Sequence, residues 1–213
     1  MLGCHREIAG WKKTLPWTFA LAGNPNVGKS SVFNWLTGMG VVVANYPGKT
    51  VEVQLATTRF KDEEIGVMDL PGTYAVGSAS EDQWVARRAL FDAGPDVVVV
   101  VVDATRLERN LYLPLQLLDL GFRVVIALNL VDEAWREGLR IDSLRLGRLL
   151  GIPVVPTVAV RGQGLDRLVE VALREAQARG VAPATPRYGR DVEEAIGTLA
   201  DRLAKEGVAL PWQ

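Results

Sequence analysis

The chain has 213 residues, enough for one ordinary globular domain with a sizeable core and at most a small appendage. Hydrophobic residues make up 48% of it and charged residues 23%, which excludes a disordered or collagen-like protein. The 24 basic and 25 acidic side chains give a net charge of −1, so the basic excess that is typical of nucleic-acid-binding proteins is missing. We therefore expect no nucleic-acid partner.

The cysteine content indicates a reducing compartment, and the length of the apolar runs bears on membrane crossing. The one cysteine, Cys4, cannot form an internal disulfide. The longest apolar run, 97–102, is six residues long. A membrane-spanning helix needs roughly 18 to 20 such residues. We therefore expect a cytosolic chain that does not itself cross a membrane.

Strand-like and helix-like segments alternate along the chain. Runs rich in β-branched and aromatic residues predict six strands, at 18–23, 51–60, 65–69, 97–103, 123–128 and 154–158. Segments with helical spacing lie between or after them, at 29–37, 81–93, 106–120, 142–150 and 165–179. This alternation predicts an α/β domain with a mostly parallel sheet and helices on both faces.

Three local features refine this prediction. The six valines at 97–102 have no polar face, which predicts a central strand that is buried on both sides. Only residues 61–64 separate the second and third strands, so this pair should be an antiparallel hairpin. Pro114 falls inside the third helical segment, which should therefore start late or bend.

The composition changes after Gly180. Residues 181–190, VAPATPRYGR, contain two prolines, and a helical pattern resumes over 191–205. We therefore predict a main domain over 1–180, followed by a linker and one helix over 181–213.

Residues 23–30, GNPNVGKS, match the pattern G-x-x-x-x-G-K-[ST] between a predicted strand and a predicted helix. In this context successive backbone amides point at phosphate oxygens, and the helix turns its positive end toward them. Lys29 would neutralise phosphate charge, and the Ser30 hydroxyl would bind Mg²⁺. The alternative is an ordinary glycine-rich turn, which would leave the lysine as an unpaired charge at the positive end of a helix.

Two acidic motifs follow later strands. Asp69 begins D-L-P-G after the third strand, so it should reach the same sheet edge, hold Mg²⁺ through water and bring the Gly72 amide to a γ-phosphate. Asn129 and Asp132 form N-x-x-D after the fifth strand. The Asp132 carboxylate can accept hydrogen bonds from N1 and N2 of guanine, which adenine cannot supply. The alternatives are a simple turn for the first motif and a helix N-cap for the second.

Thr50 lies in the segment N-Y-P-G-K-T before the second predicted strand. A threonine on such a loop can complete the Mg²⁺ shell when a γ-phosphate is present and withdraw when it is absent. In this order after a phosphate loop, Thr50 predicts a switch segment.

These motifs resemble a small GTPase of the phosphate-loop class, and more narrowly the cytosolic amino-terminal GTPase domain of the FeoB family, bacterial ferrous iron transport protein B. The resemblance rests on GNPNVGKSSVFNWLTG from Gly23, NYPGKTVEV from Asn45, DLPGTYAV from Asp69, DATRLERNLYL from Asp103 and NLVDEA from Asn129. It implies that GTP, GDP and Mg²⁺ are ligands and that GTP is hydrolysed.

The resemblance also implies a setting for the chain. It would be a nucleotide-dependent switch for Fe²⁺ uptake through a membrane permease that this chain lacks, at the cytoplasmic face of the bacterial inner membrane. Residues from 186 onward resemble the first helix of the family's small helical domain. Small cytosolic accessory proteins of iron uptake are a further implied partner.

The resemblance assigns roles residue by residue. The expected nucleotide contacts are Asn24, Pro25, Asn26, Val27, Gly28, Lys29, Ser30, Ser31, Thr50, Asp69, Gly72, Asn129, Asp132, Val158, Ala159 and Val160. The expected Mg²⁺ ligands are Ser30, Thr50 and Asp69. The expected catalytic set is Asn26, Lys29, Thr50 and Gly72. Asn26 would also hold K⁺ beside the phosphates, or alternatively would only form hydrogen bonds within its loop.

Two departures from the expected pattern bear on the rate of hydrolysis. Thr73 stands where Ras-like enzymes have the glutamine that orients water, so hydrolysis should be slow and rely on backbone groups and bound cations. Val27 occupies a position that is commonly small in the family, and its bulk can alter the rate. Two other functions stay open: a GTPase that assists ribosome or RNA assembly, and a guanine-nucleotide module that docks partners without hydrolysis.

Overall fold

The computed structural model of the chain describes residues 15–38, 41–45, 52–77, 80–178 and 188–207, with the backbone alone for 41–45. Thr50 and residues 181–187 of the predicted linker lie outside these ranges. Within these ranges, every helix is too short or too polar to span a lipid bilayer.

Seven strands form one sheet. They are β1 (Trp17–Gly23), β2 (Val41–Asn45), β3 (Glu52–Phe60), β4 (Glu63–Asp69), β5 (Val97–Asp103), β6 (Val124–Asn129) and β7 (Val154–Pro156), in the order β2-β3-β4-β1-β5-β6-β7. β3 pairs antiparallel with both neighbours, and the other pairs are parallel. The mostly parallel architecture with one antiparallel strand is therefore confirmed, as is the hairpin, which turns at Lys61 with φ 54°.

Eight helices and two 3₁₀ turns are seen in the described part of the chain. The helices are α1 (Lys29–Thr37), α2 (Glu81–Ala93), α3 (Leu107–Asn110), α4 (Tyr112–Asp119), α5 (Val131–Arg136), α6 (Ser143–Leu150), α7 (Leu165–Gln177) and α8 (Arg190–Lys205). The 3₁₀ turns are Ala104–Arg106 and Ala159–Arg161. The helices predicted at 29–37 and 81–93 have the predicted bounds, and the helix at 191–205 begins one residue earlier.

Three details differ from the sequence prediction. The sheet has seven strands rather than six, because 41–45 pairs with β3 at the sheet edge. The predicted helix 106–120 is broken into α3 and α4; the late start expected from Pro114 is therefore observed, with Pro114 in the first turn of α4, where a missing amide costs little. The sequence prediction lacks α5, because its six residues are too few for an apolar periodicity to show.

The core lies on both faces of the sheet, and β5 divides it. Valines 98, 100 and 102 pack into one hydrophobic cluster, which α2 and α4 complete. Valines 97, 99 and 101 pack into the other, which α1 and α7 complete. All six are at most 1% exposed, so the predicted two-sided burial is confirmed.

The strand register brings several chain segments to one edge of the sheet. Leu21 of β1 is level with Asp69 at the end of β4, and Asp103 of β5 is level with Asn129 at the end of β6. We call this the carboxyl edge: the end of β1, β4, β5, β6 and β7, together with the loops that follow them. The phosphate-loop, D-L-P-G and N-x-x-D motifs all follow strands that end here.

Candidate functional site

The loop between β1 and α1 has the backbone geometry of an anion cradle. Asn26 and Gly28 adopt left-handed conformations, with φ of 66° and 88°, so the chain curls before α1 begins at Lys29. A Cβ on Gly28 would collide with Nδ2 of Asn129. Glycine is therefore required at position 28 by its backbone angle and by the close approach of another segment.

Lys29 and Asp69 form an ion pair at the carboxyl edge, with Nζ 2.5 Å from Oδ1 and both side chains 11% exposed. Burial raises the pKa of the Asp69 carboxyl above its ordinary value, and the adjacent Lys29 charge offsets only part of that rise. The pair therefore joins the first residue of α1 to the end of β4 in a poorly solvated place.

The D-L-P-G segment lies along the phosphate loop. The Leu70 amide donates to the Leu21 carbonyl, and the Thr73 amide donates to the Gly23 carbonyl, both at 3.0 Å. A Cβ on Gly72 would lie 3.3 Å from the Pro25 Cα. The backbone at Gly72 thus runs directly against the loop, as the predicted role of its amide requires.

Asn129 is buried and holds three segments together. Its Nδ2 donates to the Val27 carbonyl at 2.9 Å. Its Oδ1 accepts from the Thr157 hydroxyl at 3.2 Å and from the Ala159 amide at 2.9 Å. With 1% exposure, this side chain joins the phosphate loop to the loop after β7.

Asp132 lies in the first turn of α5 and is partly exposed. Its Oδ2 is 3.1 Å from an Arg136 nitrogen and 3.5 Å from an Arg161 nitrogen. The carboxylate therefore lies near the 3₁₀ turn at Ala159–Arg161. This turn is part of the loop after β7, which Asn129 joins to the phosphate loop.

The structure brings most of the predicted site residues to one place. The phosphate loop, the Lys29–Asp69 pair, Gly72, Asn129, Asp132 and the turn beginning at Ala159 all lie at the carboxyl edge. Within the loop, Pro25, Asn26 and Ser30 are exposed, whereas Asn24 and Val27 are buried. Thr50 falls outside the described residues, so its place in the site stays a prediction.

One predicted contact has another partner in the structure. The backbone amide of Ala159, one of the expected nucleotide contacts, donates to Asn129 Oδ1. The Val160 amide donates to no other described residue, and Val160 is 76% exposed. Of the two amides, that of Val160 is the one available to a ligand.

Sequence reasoning missed two residues of the site. Thr157 supports Asn129, and its signal is a polar residue directly after a buried strand. Arg161 approaches Asp132, and no spacing rule marks it in advance.

Asn24 was predicted as a nucleotide contact, but the sequence did not indicate that it is buried. The residue is 4% exposed, and both atoms of its side-chain amide lack a hydrogen-bond partner in the described structure.

A cavity of about 420 Å³ borders the phosphate loop on the side of α3. Asn24 and Asn26 line it together with Tyr74 and Arg109. The Arg109 guanidinium lies over the Tyr74 ring, 4.5 Å from its centroid. This cation–π contact links the segment after D-L-P-G to α3.

The sequence matches the family of ferrous iron transport protein B over residues 17–172. The chain belongs to the FeoB family. A fusion of Fe(2+) transport protein A and Fe(2+) transporter FeoB from Porphyromonas gingivalis is 41% identical over 196 residues, which are 91% of this chain and 23% of that protein. The Fe(2+) transporter FeoB of Escherichia coli K12 is 42% identical over 155 residues, 71% of this chain and 20% of that protein. The chain thus spans about a quarter of the length of these relatives.

Solved FeoB structures share the fold. The cytosolic domain of T. maritima FeoB in a GDP form is 41% identical, with a TM-score of 0.81 over 88% of this chain and 74% of that one. A mutant of S. thermophilus NFeoB bound to mGDP is 38% identical, with a TM-score of 0.82 over 88% of this chain and 72% of that one. The predicted phosphate-loop GTPase fold is confirmed.

Proposed function

We propose that this chain binds and hydrolyses GTP and acts as the nucleotide-dependent switch of a ferrous iron transporter. The observation that carries the proposal is the convergence of Lys29, Asp69 and Asp132 at the carboxyl edge, each on a different segment. A phosphate-binding lysine, a metal-binding carboxylate and a guanine-reading carboxylate are together what a GTPase needs. The solved FeoB relatives that bind GDP and GMPPNP support the choice of ligand.

The phosphates would lie in the loop of residues 24–31, and the base would lie between α5 and the loop 158–160. Lys29 would exchange its partner Asp69 for the β- and γ-phosphates. Asp132 would accept hydrogen bonds from N1 and N2 of guanine. Asn129, whose Oδ1 is fully engaged, would keep this arrangement in place and offer its remaining Nδ2 hydrogen to the base.

The residues present fit Mg²⁺. The Ser30 hydroxyl and the Asp69 carboxylate are hard oxygen donors of the kind that this ion prefers. They lie on α1 and at the end of β4, and Asp69 would become available to the ion when Lys29 moves to the phosphates. Thr50 would supply a third oxygen from the switch segment. The ion supplies charge neutralisation at the phosphates when it is bound.

Hydrolysis would depend on positioning and not on a general base. Position 73 carries a threonine whose hydroxyl donates to the Ala75 carbonyl, so it does not substitute for the missing glutamine. The proposed catalytic set is Asn26, Lys29, Thr50 and Gly72. Asn26 is exposed on the loop and would hold K⁺ beside the phosphates, where a cation offsets the charge that develops in the transition state.

The proposed partners follow from the family. The chain would be joined to a membrane permease at the cytoplasmic face of the bacterial inner membrane, with small accessory proteins of iron uptake as further partners. The GTPase domain would cover 1–180, and 181–213 would be a linker and the first helix of a helical domain. α8 supports this division, because Val192, Ile196 and Leu199 form an exposed apolar stripe that further helices would cover.

Hydrolysis assays in K⁺ and in Na⁺ buffer test this proposal. The wild-type chain should turn GTP over slowly and faster in K⁺, because a bound cation neutralises phosphate charge. Asn26→Ala should lose the K⁺ stimulation, whereas Asn34→Ala, which removes an exposed asparagine of α1, should keep it. Equal rates in both salts would remove the role of K⁺. Guanine binding without any turnover would leave a docking module that does not hydrolyse GTP.

A further inference from the structure

The carboxylate that would read guanine is already in contact with two arginines. Arg136 follows Asp132 by one helical turn, so it approaches along the same helix, at 3.1 Å. Arg161 belongs to another segment and crosses from the loop after β7, at 3.5 Å. Both reach the same oxygen, Oδ2, and within the described residues no hydrogen bond or ion pair involves Oδ1.

The backbone that carries Arg161 is firmly held. Val158 and Gln163 form a β-bridge around the 3₁₀ turn, with hydrogen bonds of 3.0 and 3.3 Å. Gly162 has φ 68° and packs against Trp35, whose Nε1 would lie 2.9 Å from a Cβ at that position. The turn therefore fixes the backbone position from which the Arg161 side chain reaches Asp132.

The two possible partners of Asp132 have the same chemistry. The N1–C2–N2 edge of guanine presents two parallel N–H donors to a carboxylate. The guanidinium of an arginine presents the same fork, with a full positive charge. Because one carboxylate oxygen cannot serve the whole guanine edge, a bound guanine needs Oδ2 as well as Oδ1.

We propose that Arg161 is an internal competitor of guanine for Asp132 and thereby sets the affinity of the site. This inference rests on the proposed function, since it concerns the same nucleotide. When the base binds, Arg161 leaves Oδ2. When the base dissociates, Arg161 returns. The fraction of chains with a free Asp132 is thus below one, and the apparent affinity for guanine is reduced in proportion.

The expected size of the effect follows from the exposure of the pair. The side chains of Arg161 and Asp132 are 58% and 22% exposed, so the ion pair is partly solvated. Such a pair reduces ligand affinity by roughly twofold to fivefold. Salt screens it, so the reduction should diminish as ionic strength rises.

Titration with GDP tests the proposal directly. Arg161→Gln should tighten GDP binding by roughly twofold to fivefold at low salt. The matched control is Arg167→Gln, because Arg167 is also 58% exposed and pairs with Glu170 at 3.4 Å on α7. Arg167→Gln removes the same positive charge. Any effect of that charge on GDP binding through long-range attraction to the phosphates should therefore appear in both variants. Unchanged or weaker GDP binding by Arg161→Gln, relative to this control, would overturn the proposal.

A second nucleotide separates competition from general charge effects. Inosine diphosphate lacks the 2-amino group and can use Oδ1 alone through N1, which leaves Oδ2 to Arg161. The gain from Arg161→Gln should therefore be smaller for inosine diphosphate than for GDP. Equal gains for the two nucleotides would contradict competition at Oδ2.

The ion pair can also be measured without nucleotide. In a double-mutant cycle of Arg161→Gln and Asp132→Asn, the shifts in denaturation midpoint of the nucleotide-free chain should be non-additive. Additive shifts would show that Arg161 and Asp132 do not interact, which would overturn the proposal. If the cycle shows coupling but wild-type protein binds no guanine nucleotide, the proposed function fails and competition fails with it. If GDP binds but Arg161→Gln leaves its affinity unchanged, only the competition fails.

Discussion

Asn129 and Asp132 belong to one motif but have different physical roles. Asn129 is buried and forms three hydrogen bonds to three other residues of the protein. Asp132 is partly exposed, and its contacts are ion pairs with exposed arginines. One side chain therefore assembles the site, and the other is free to exchange partners with a ligand.

This difference predicts unequal losses of stability. Asn129→Ala should lower the free energy of unfolding by about 2–4 kcal/mol, since it leaves the buried Val27 carbonyl and Ala159 amide unpaired. Asp132→Ala should lower it by about 1 kcal/mol or less. Chemical denaturation without nucleotide measures both. Losses of similar size would refute the division of roles.

Asp69 gives the site a dependence on pH. Its raised pKa means that the folded chain binds this proton more tightly than the unfolded chain does. The contribution of Asp69 to the free energy of unfolding is therefore fully present below its ordinary pKa of 3.8. It is lost as the pH rises through the higher pKa that Asp69 has in the folded state.

We predict that Asp69→Asn removes this fall in stability from the pH profile of the nucleotide-free chain. The absolute stability also changes, because Lys29 loses its partner, so the slope and not the height is the quantity to compare. Asp166→Asn, which alters an exposed aspartate of α7, should retain the wild-type slope. Parallel profiles for wild type and Asp69→Asn would contradict the burial argument.

At the scale of elements, the junction between the phosphate loop and α1 is the most constrained. Gly28 combines a φ of 88° with the close approach of the Asn129 amide. Gly138 has a φ of 84°, but no atom lies within 4 Å of the position that a Cβ would take. A substitution at Gly138 therefore measures the cost of the backbone angle alone. The two glycines form a matched pair.

Gly138→Ala should cost about 1 kcal/mol of stability, which is the penalty of a left-handed alanine. Gly28→Ala should cost clearly more and should abolish nucleotide binding, since it displaces Asn129. Thermal denaturation and GDP titration of both variants provide the measurement. Equal losses of stability would show that the approach of Asn129 is not restrictive.

The success of the sequence predictions also varies by element. The valine run of β5 and the helices at 29–37 and 81–93 are predictable, because burial on two faces or a clear periodicity determines them. β2 is not, because five residues at a sheet edge pair along one side only and give a weak signal. Short α5 depends on tertiary contacts, whereas the late start of α4 could be expected from Pro114.

At the scale of the whole molecule, the sheet brings distant segments to one edge. Parallel strands end on the same side, so motifs after the first, third and fifth predicted strands could be expected to meet. The phosphate loop, Asp69 and Asn129 do meet there. The contact of Arg161 with Asp132 could not be predicted, since it depends on how one turn packs on Trp35.

The central claim is that this edge recognises guanine through Asp132. Equilibrium titration of wild type and Asp132→Asn with GDP, ADP and xanthosine diphosphate tests it most directly. Wild type should prefer GDP over ADP by about two orders of magnitude or more, since two charged hydrogen bonds contribute roughly 1.5–3 kcal/mol each. Asp132→Asn should prefer xanthosine diphosphate, whose carbonyl accepts from the new amide. Equal binding of GDP and ADP by wild type, or a retained preference of the variant for GDP, would contradict the account.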